Sequence, residues 1–492
     1  MITVPFKATP KAALPVGPIL VAGLGRAGQA ALARLTAERP PHSIQAWDAN
    51  TSKIMQARAA EWKRRGVQVE LGGDGGALLS SGAAVQMIVK SPGIDLDAPL
   101  LRAARSKGVD VIDELEIGWR LCRTPVIAVT GTNGKSTTCA VIAAILQAAG
   151  QPSHVVGNTE FGPPLSATRP DAAVVCEVSS FQLEAAPTFR PEVAVFTNLS
   201  MEHLSRHGSM DAYGRIKQRM FAANGLTCGV AVVNGDDPWG QHILTTVRQA
   251  GGRCLSFGGS PAADVRVIEA RWTTRDAHTR LAIDNQTIDL QSRLPGQHNA
   301  LNIAAAVGAG LAAGLPLDAI AAGVATADPP PGRCWFINEG QPFTVVVDYA
   351  HTPDGIAQFL SAMRTITLSR GTTLHTVFGA VGLPDPAKAA GCAKAARQTS
   401  DQLILTTGSA PRSSRILRLG ELRDASRKIG PVTLVLDRRR AIARALRAAA
   451  PGDIVAILGL GALRYQVLDA RGTYVPFQDG AVAAAVLREH GQ

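Results

Sequence analysis

Aromatic and charged residues are both scarce in this chain. Aromatic residues make up 4% and charged residues 18% of its 492 residues, and its seven cysteines include no Cys-x-x-Cys pair. Scattered cysteines are typical of reduced, buried thiols and argue against a disulfide framework or a zinc site. No apolar run is long enough to span a bilayer, and no signal-peptide core precedes a cleavage site. We therefore expect a cytoplasmic protein that has no membrane partner.

Basic residues outnumber acidic ones in the chain. Lys and Arg number 50 and Asp and Glu 39, which gives a formal net charge of +11. Such an excess can reflect nucleic-acid binding, but no groove-like pattern of basic and aromatic residues accompanies it. The composition favours a basic protein that handles small anionic molecules. We expect no nucleic-acid partner, and we expect a monomer.

A glycine loop stands between an apolar strand and a helix pattern near residue 130. Loop N–H groups and a helix N-terminus favour bound phosphate. Lys135 would reach the β and γ oxygens, and Ser136 or Thr137 would take a Mg²⁺ position. The common form of this motif has four residues between its glycines, whereas Gly131 and Gly134 have two between them. The sequence therefore predicts a variant site for a nucleoside triphosphate.

Three polar residues follow this loop in an informative order. Glu177 stands just past a predicted strand, where a carboxylate is well placed to hold Mg²⁺ or its waters. His203 follows another strand, and Lys217 lies on the helix pattern that comes next. A lone histidine or helix lysine is usually structural or solvated. Their order after one phosphate loop predicts a combined metal and phosphate site.

A second glycine loop occurs near the N-terminus. Gly23, Gly25 and Gly28 follow a strand pattern, and Asp48 comes twenty residues after Gly28. This spacing fits a dinucleotide fingerprint, and taken alone it predicts an NAD-dependent dehydrogenase. The same turn can hold a nucleotide-sugar diphosphate or serve as a strand–helix turn without a ligand. Because Lys135 makes the later loop the better triphosphate site, the first loop is left for another phosphorylated group.

Strand and helix patterns alternate along the whole chain, which favours α/β layers with mostly parallel sheets. We predict three domains: a Rossmann-like domain over residues 1–124, a central P-loop-type ATPase domain over 125–338, and a Rossmann-like domain over 339–492. Residues 264–289 alternate apolar and polar residues like a small β meander. The alanine-rich runs are typical of packed helices.

Several motifs together resemble the Mur ligases, the ATP-dependent amino-acid ligases of peptidoglycan precursor synthesis. Thr130-Gly-Thr-Asn-Gly-Lys-Ser-Thr137 resembles their ATP loop. Glu177-Val-Ser-Ser-Phe-Gln-Leu-Glu184 is similar to the segment of the glutamate-adding members, whereas diaminopimelate-adding members typically have His in place of Phe181. Ser91-Pro-Gly-Ile94 and Gly296-Gln-His-Asn-Ala-Leu-Asn302 also match. The resemblance covers nearly the whole chain and is weakest in its last third.

The resemblance implies roles for matching residues. It places the catalytic groups at Lys135, Glu177, His203 and Lys217. It places ATP contacts at Gly131, Thr132, Asn133, Gly134, Lys135, Ser136, Thr137, Asn299, Arg333 and Asp348. It places Mg²⁺ ligands at Ser136, Glu177, His203 and Lys217, the last as a carbamate. It places substrate contacts at Gly25, Asp48, Ser91, Asn158, Ser179 and Gln182, to which Arg412 adds either a carboxylate contact or a helix cap.

The implied reaction joins UDP-N-acetylmuramoyl-L-alanine to glutamate. ATP, with Mg²⁺, phosphorylates the substrate carboxylate, and the glutamate amine attacks the acyl phosphate. No protein nucleophile is required. Closure of the last domain would align the reactants in a water-poor cleft.

The last third of the chain departs from both family patterns. Asp348-Tyr-Ala-His-Thr-Pro-Asp354 resembles the diamino-acid-adding members, but Ser409-Ala-Pro-Arg412 replaces their Asp-Asn-Pro-Arg. Gly459-Leu-Gly-Ala-Leu463 replaces their Gly-Lys-Gly-His-Glu. We therefore predict D-Glu as the added amino acid, with L-Glu as the second candidate.

Overall fold

The protein is described from a computed structural model. The model describes residue 8 and residues 11–79, 84–159, 162–168, 172–284, 286–382, 385–409, 414–427, 429–468 and 473–490. Within these ranges three large sheets follow one another along the chain, which we call the N-terminal, central and C-terminal sheets. Helices pack on their faces, so the predicted three-part α/β architecture is confirmed.

The N-terminal sheet has five parallel strands in the order β3-β2-β1-β4-β5. Its strands are β1 Ile19–Ala22, β2 Ile44–Asp48, β3 Gln68–Leu71, β4 Met87–Lys90 and β5 Asp110–Asp113. Its helices are α1 Arg26–Glu38, α2 Lys53–Arg64, α3 Pro99–Ser106 and α4 Glu114–Leu121, with 3₁₀ turns at Pro41–Ser43 and Gly76–Leu79. Strand β1 is buried on both faces, as expected for the centre of a covered parallel sheet.

The central sheet has nine strands in the order β16-β15-β14-β13-β12-β9-β6-β8-β7. They are β6 Val126–Thr130, β7 Ser153–Gly157, β8 Ala173–Glu177, β9 Val193–Phe196, β12 Val230–Asn234, β13 Arg253–Gly258, β14 Val265–Trp272, β15 Ala277–Ile283 and β16 Gln286–Ser292, with a separate hairpin of β10 Ala222–Ala223 and β11 Leu226–Thr227. The helices are α5 Lys135–Ala148, α6 Ser180–Leu183, α7 Leu204–His207, α8 Met210–Gln218, α9 Pro238–Gln249, α10 Gln297–Ala312 and α11 Leu317–Thr326, with a 3₁₀ turn at Leu165–Ala167.

Two predictions about the central part are confirmed. Strands β14, β15 and β16 form the meander expected over 264–289, and they extend the parallel sheet with antiparallel strands. The alanine-rich helix α10 is buried along nearly its whole length between the sheet and helix α5. Small side chains allow this close packing. The helix pattern expected after the phosphate loop is helix α5, which begins at Lys135.

The C-terminal sheet has six strands in the order β17-β18-β22-β19-β20-β21. They are β17 Trp335–Ile337, β18 Thr344–Asp348, β19 Leu374–Phe378, β20 Gln402–Leu405, β21 Thr433–Leu434 and β22 Ile454–Leu458, followed by a hairpin of β23 Tyr465–Val467 and β24 Tyr474–Pro476. Helices α12 Pro353–Arg370, α13 Pro386–Thr399 and α14 Arg415–Arg427 cover one face, and α15 Arg438–Ala448 and α16 Asp479–His490 cover the other. Strand β17 precedes the expected boundary at residue 338 but pairs in this sheet.

The three parts are held together by polar contacts. Arg26 Nη2 donates to Thr159 O over 2.6 Å, which ties helix α1 to the central part. Glu114 accepts from both the backbone and the hydroxyl of Ser166. On the other side, Trp272 Nε1 donates to Ala362 O over 3.0 Å. The central sheet thus stands between the other two.

In the part of the chain that the structure describes, no helix is both long enough and apolar enough to cross a membrane.

Candidate active site

The loop between β6 and α5 requires glycine at two positions. Gly131 has φ 147° and Gly134 has φ 84°, both in the region that favours glycine. A Cβ at Gly131 would lie 1.9 Å from Thr197 Oγ1, and one at Gly134 would lie 2.2 Å from Asn302 Oδ1. The two glycines therefore let the loop pack closely against neighbouring chain segments while it turns into helix α5.

Lys135 begins helix α5 and folds back over the loop. Its Nζ donates to Thr132 O over 2.8 Å and to Gly131 O over 3.3 Å. Burial lowers the pKa of this ammonium group, and Glu177 partly offsets that effect. The lysine thus places a positive charge in a loop whose backbone N–H groups favour phosphate.

Glu177 lies where strand β8 ends, next to the start of helix α5. Its Oε2 accepts a 2.6 Å hydrogen bond from Ser136 Oγ. Its Oε1 accepts from Asn158 Nδ2 over 3.4 Å. The structure therefore brings together one predicted metal-ligand pair and one predicted substrate contact.

Lys217 reaches the same loop from helix α8. Its Nζ donates to Gly131 O over 2.7 Å and lies 4.6 Å from the centre of the Tyr213 ring. Burial, followed by the nearby charge of Lys135, lowers its pKa well below the usual value. A buried amine with a lowered pKa is uncharged for part of the time, and an uncharged amine can act as a nucleophile.

His203 sits at the start of helix α7 with φ 56°, an uncommon conformation for a residue other than glycine. Burial lowers its pKa to about 3, and the charges of Lys388 and Lys135 act in the same direction. The imidazole is therefore neutral near pH 7, which is the form that binds metal ions.

The donor set near the loop suits Mg²⁺ that is held largely by phosphate and water. Among the described residues, no group of three or more His, Cys, Asp or Glu side chains is arranged to hold a metal ion by itself. Mg²⁺ commonly uses one or two protein oxygens together with substrate phosphates and waters. The Ser136 hydroxyl and the Glu177 carboxylate, 2.6 Å apart, offer such a pair.

A second group of predicted ATP contacts forms the wall contributed by the later part of the chain. Asn299 Nδ2 donates to Pro295 O over 2.7 Å. The Arg333 guanidinium lies 4.7 Å from the centre of the Tyr349 ring. Asp348 accepts from the backbone N–H groups of Cys334 and Ala350, and burial raises its pKa. Asn299 and Asp348 therefore help to fix the shape of this wall.

These residues line one cavity of about 380 Å³ between the central and C-terminal sheets. The predicted site residues on its walls are Gly131, Thr132, Asn133, Gly134, Lys135, Ser136, Thr137, Asn158, Glu177, Ser179, His203, Lys217, Asn299, Arg333 and Asp348. Four others, Gly25, Asp48, Ser91 and Gln182, are not among its lining residues. Arg412 lies outside the described residues.

Gln182 is engaged in local structure. Its Oε1 accepts from the backbone N–H and the hydroxyl of Ser179, over 2.9 and 3.0 Å. The pair forms a capping box at the start of helix α6. Gln182 therefore positions Ser179, which itself lines the cavity.

The N-terminal glycine loop forms a separate feature at the edge of its own sheet. Asp48 Oδ2 accepts from Leu24 N over 2.7 Å, so the acidic residue holds the loop. Gly25 precedes helix α1 as its N-cap residue. Ser91 Oγ is buried with no hydrogen-bond partner among the described residues, and it lies 2.5 Å from where a Cβ at Gly23 would stand. An unsatisfied hydroxyl beside a glycine loop fits a ligand oxygen.

Tyr213 and Glu202 also line the cavity, and Asp354 and Lys388 contact lining residues, although sequence reasoning assigned a role to none of the four. Tyr213 OH lies 3.3 Å from Thr132 Oγ1, and Asp354 accepts from Asn133 Nδ2 over 3.0 Å. Lys388 donates to Glu202 over 2.8 Å. The adjacency of Glu202 to His203 was a usable signal, whereas nothing in the sequence pointed to Lys388.

Comparison with known proteins shows the family of the chain. Residues 129–310 match the Mur ligase middle domain, and residues 332–461 match the Mur ligase, glutamate ligase domain. A UDP-N-acetylmuramoyl-L-alanyl-D-glutamate–2,6-diaminopimelate ligase of Geobacillus kaustophilus is 32% identical over 445 residues, which cover 84% of this chain and 88% of the relative. A UDP-N-acetylmuramoylalanine–D-glutamate ligase of Pelotomaculum thermopropionicum is 36% identical over 310 residues, which cover 62% of this chain and 65% of the relative.

A solved structure shares the fold. A UDP-N-acetylmuramate–alanine ligase from Thermotoga maritima superposes with a TM-score of 0.59 at 17% identity, covering 96% of this chain and 99% of that one. These relatives do not support the dehydrogenase interpretation of Gly23–Gly28. The chain belongs to the Mur ligase family, whose members are ATP-dependent ligases that form amide bonds in peptidoglycan precursors.

Proposed function

We propose that this chain adds glutamate, D-Glu in the first place, to UDP-N-acetylmuramoyl-L-alanine through an acyl phosphate. The loop of Gly131–Thr137 would hold the ATP phosphates, because it combines backbone donors, a helix N-terminus and the Lys135 charge. Asn299, Arg333 and Asp348 would hold the nucleotide from the facing wall.

Mg²⁺ would be held by Ser136, Glu177, His203 and a carbamate on Lys217. When bound, it would offset negative charge on the transferring phosphoryl group. The uncharged Lys217 amine can add CO₂ and lose a proton, which turns a cation into an anionic oxygen ligand. The lowered pKa of Lys217 and the neutral state of His203 both support this assignment.

The UDP end of the substrate would bind at Gly25, Asp48 and Ser91, and its alanyl carboxylate would reach Asn158 and Ser179 in the cavity. The unsatisfied Ser91 hydroxyl supports a diphosphate contact at the N-terminal loop. Arg26 supports a substrate that extends from the N-terminal glycine loop to the cavity. It follows Gly25 in that loop, and it donates a hydrogen bond to the carbonyl of Thr159, which lines the cavity. Gln182 would act by fixing Ser179.

The choice of glutamate rests on the segment 459–463, which is the observation that carries the proposal. Relative to glutamate, a diamino acid brings a second ammonium group, which needs an anionic or strongly polar partner. This segment offers no charged or polar side chain, and its Leu460 and Ala462 are buried, with Ala462 on the cavity wall. Phe181, in place of the histidine typical of diaminopimelate-adding members, points the same way.

The 32% identity to a diaminopimelate ligase adds diaminopimelate as a further candidate. L-Glu is the closest alternative to D-Glu, because the C-terminal motifs that meet the amino acid diverge.

Purified protein tested with a panel of substrates decides among them. UDP-N-acetylmuramoyl-L-alanine and ATP would be given with D-Glu or L-Glu, and the corresponding alanyl-glutamate substrate with diaminopimelate or lysine. We expect phosphate release and a new amide with D-Glu. Turnover with L-Glu alone would reverse the stereochemical assignment, and turnover only with a diamino acid would reject the proposal.

Nucleotide binding gives a separate check on the first step. ATP with Mg²⁺ should raise the melting temperature, because it binds the folded state alone. NADH should leave the melting temperature unchanged, and a stabilising effect of NADH would revive the dehydrogenase interpretation.

A further inference from the structure

Glu202 is a buried carboxylate to which none of the roles above applies. It lies between strand β9 and helix α7, is 6% exposed, and lines the same cavity as Lys135 and Lys217. Its Oε1 accepts from Lys388 Nζ over 2.8 Å. Its Oε2 is buried and has no hydrogen-bond partner among the described residues.

A buried carboxylate oxygen without a donor is costly, because it has lost water and gained nothing in return. Native structures rarely keep such an atom unless a ligand supplies the missing donor. The Lys388 contact satisfies only one of the two oxygens of Glu202. The free oxygen therefore calls for a donor, preferably a cationic one, from outside the protein.

The charges of the reactants identify that donor. ATP and the UDP-linked carboxylate substrate are both anions, so neither suits a buried carboxylate. The amino acid is the reactant that carries an ammonium group. The amino acid must also reach the substrate carboxyl carbon near the phosphate loop. Glu202 lies near that loop, because its charge acts to raise the pKa of Lys135.

We propose that Glu202 Oε2 binds the ammonium group of the incoming amino acid and accepts the proton that this group must lose, so that the neutral amine nitrogen faces the acyl phosphate and displaces phosphate from its carbonyl carbon. This inference rests on the proposed ligase reaction. It makes Glu202 a binding residue for the feature that all candidate amino acids share, and it is independent of the side chain that is selected.

Lys388 gives the proposed subsite its second part. It lies in the first turn of helix α13, whose N-cap Asp385 accepts from Lys388 N over 2.9 Å. Helix α13 belongs to the C-terminal part of the chain, whereas Glu202 belongs to the central part. Lys388 fixes one carboxylate oxygen and so leaves the other for the amine. The subsite is therefore complete only when the two parts of the protein meet.

A purely mechanical tie between the two parts is the competing explanation for the Glu202–Lys388 pair. Both explanations account for the ion pair. A mechanical tie does not explain why the second carboxylate oxygen, Oε2, is buried without a hydrogen-bond partner in the described part of the chain. The two explanations also predict different effects of removing the carboxylate. Loss of an ammonium site should impair the attack of the amino acid alone, whereas loss of a tie should impair acyl phosphate formation as well.

The test compares two nucleophiles in full-length Glu202→Gln. The first is the amino acid that the wild-type protein uses, and the second is hydroxylamine, which is uncharged at the assay pH and traps the acyl phosphate as a hydroxamate. We expect the KM for the amino acid to rise at least about tenfold, because a buried charge partner is lost. Hydroxamate formation should fall by less than about threefold, because it needs no ammonium site.

Lys388→Met is the matched control, because it removes the tie and keeps the Glu202 carboxylate. It should raise the KM for the amino acid less than Glu202→Gln does. If both variants lose hydroxamate formation and amide formation to the same degree, Glu202 is only a tie and the proposal is overturned. An unchanged KM for the amino acid in Glu202→Gln, or a rise only in the Mg²⁺ concentration required, would overturn it as well.

The wild-type protein separates this proposal from the proposed function. If wild-type protein makes no hydroxamate, the ligase assignment fails before any variant is tested. If it accepts a diamino acid in place of glutamate, the glutamate assignment fails and the Glu202 test proceeds with that amino acid. Should Glu202→Gln not fold, Glu202→Asp carries the comparison, because the shorter carboxylate withdraws from the amine; an unchanged KM for the amino acid would again overturn the proposal.

Discussion

At the scale of single residues, the cavity holds a cluster of basic groups, of which Lys217 is fully buried while Lys135 and His203 are partly exposed. Lys135, Lys217 and His203 all have lowered pKa values, chiefly because of desolvation and partly because of nearby positive charges. Such an arrangement costs stability in the absence of anions and gains it when anions bind. The cluster therefore suits a site that gathers a triphosphate and a carboxylate.

Lys135→Ala should reduce phosphate release at least about 100-fold, because a positioned charge on the transferring group is lost. The fold should persist, since among the described residues the Lys135 side chain bonds only to carbonyls of its own loop. Steady-state phosphate release and thermal melting check both points. Lys394→Ala, which alters an exposed lysine of helix α13, is the control. Activity near the wild-type value in Lys135→Ala would contradict the phosphate-loop assignment.

Glu114 shows how a buried carboxyl links stability to pH. Burial raises its pKa to about 7, although two hydrogen bonds from Ser166 act in the opposite direction. The folded chain thus binds a proton at this residue between about pH 4.5 and 7 that the unfolded chain has released. Its contribution to stability is greatest at low pH and is lost as the pH rises through the folded pKa.

Glu114→Gln should therefore raise the melting temperature at pH 8 and change it little at pH 5. The amide carbonyl still accepts from Ser166, and the amide cannot ionise. Melting curves at the two pH values provide the measurement. Glu61→Gln, on an exposed turn of helix α2, should cause the same small shift at both. A destabilised Glu114→Gln at pH 8 would show that the ionised form is the favoured one.

At the scale of elements, the loop between β6 and α5 depends on its backbone shape. Gly134 combines a left-handed φ with a close approach to Asn302. Helix α5 can begin at Lys135 only because Gly134 adopts this conformation. The same element therefore determines where the lysine stands and where the backbone donors point.

Gly134→Ala should destabilise the protein more than Gly150→Ala does. Both sites have left-handed φ, which costs an L-residue roughly 1–2 kcal/mol. Gly150 faces open space, whereas a Cβ at Gly134 would lie 2.2 Å from Asn302 Oδ1. Chemical denaturation gives the stability, and the KM for ATP should rise in Gly134→Ala alone. Equal stabilities of the two variants would show that the contact with Asn302 relaxes freely.

At the scale of the whole molecule, the site depends on contact between the central and C-terminal parts. Asn133, in the phosphate loop, donates to Asp354 and accepts from Thr352 Oγ1 over 3.0 Å each. Both partners stand at the start of helix α12. The loop that would hold ATP therefore also holds the C-terminal part in place, so nucleotide binding and closure should be coupled.

Asp354→Ala should weaken closure by one hydrogen bond and raise the KM for ATP by about two- to tenfold. In small-angle X-ray scattering with a non-hydrolysed ATP analogue, the variant should have a larger radius of gyration than the wild type. Asp318→Ala, an exposed change on helix α11, serves as the control. Equal radii and an unchanged KM would show that the Asn133 contact does not contribute to closure.

The sequence by itself determined the layered α/β fold, and it predicted the candidate site residues of the central part. Continuous apolar strands such as β1 and β6 can only be buried in covered parallel sheets, and the glycine spacing near Lys135 limits the loop to a few shapes. Local patterns also located Glu177, His203 and Lys217 at strand ends and on a helix. These features depend on residues that are close together in the chain, so they can be predicted from the local sequence.

The tertiary structure decided what depends on distant partners. It assigned Gln182 to a capping box, placed Gly25, Asp48 and Ser91 apart from the main cavity lining, and paired Glu202 with Lys388, 186 residues away. Burial and charge at Lys217 and Glu114 also arise only when several segments surround them. No local pattern encodes such neighbours, because they are set by how the three sheets pack against one another.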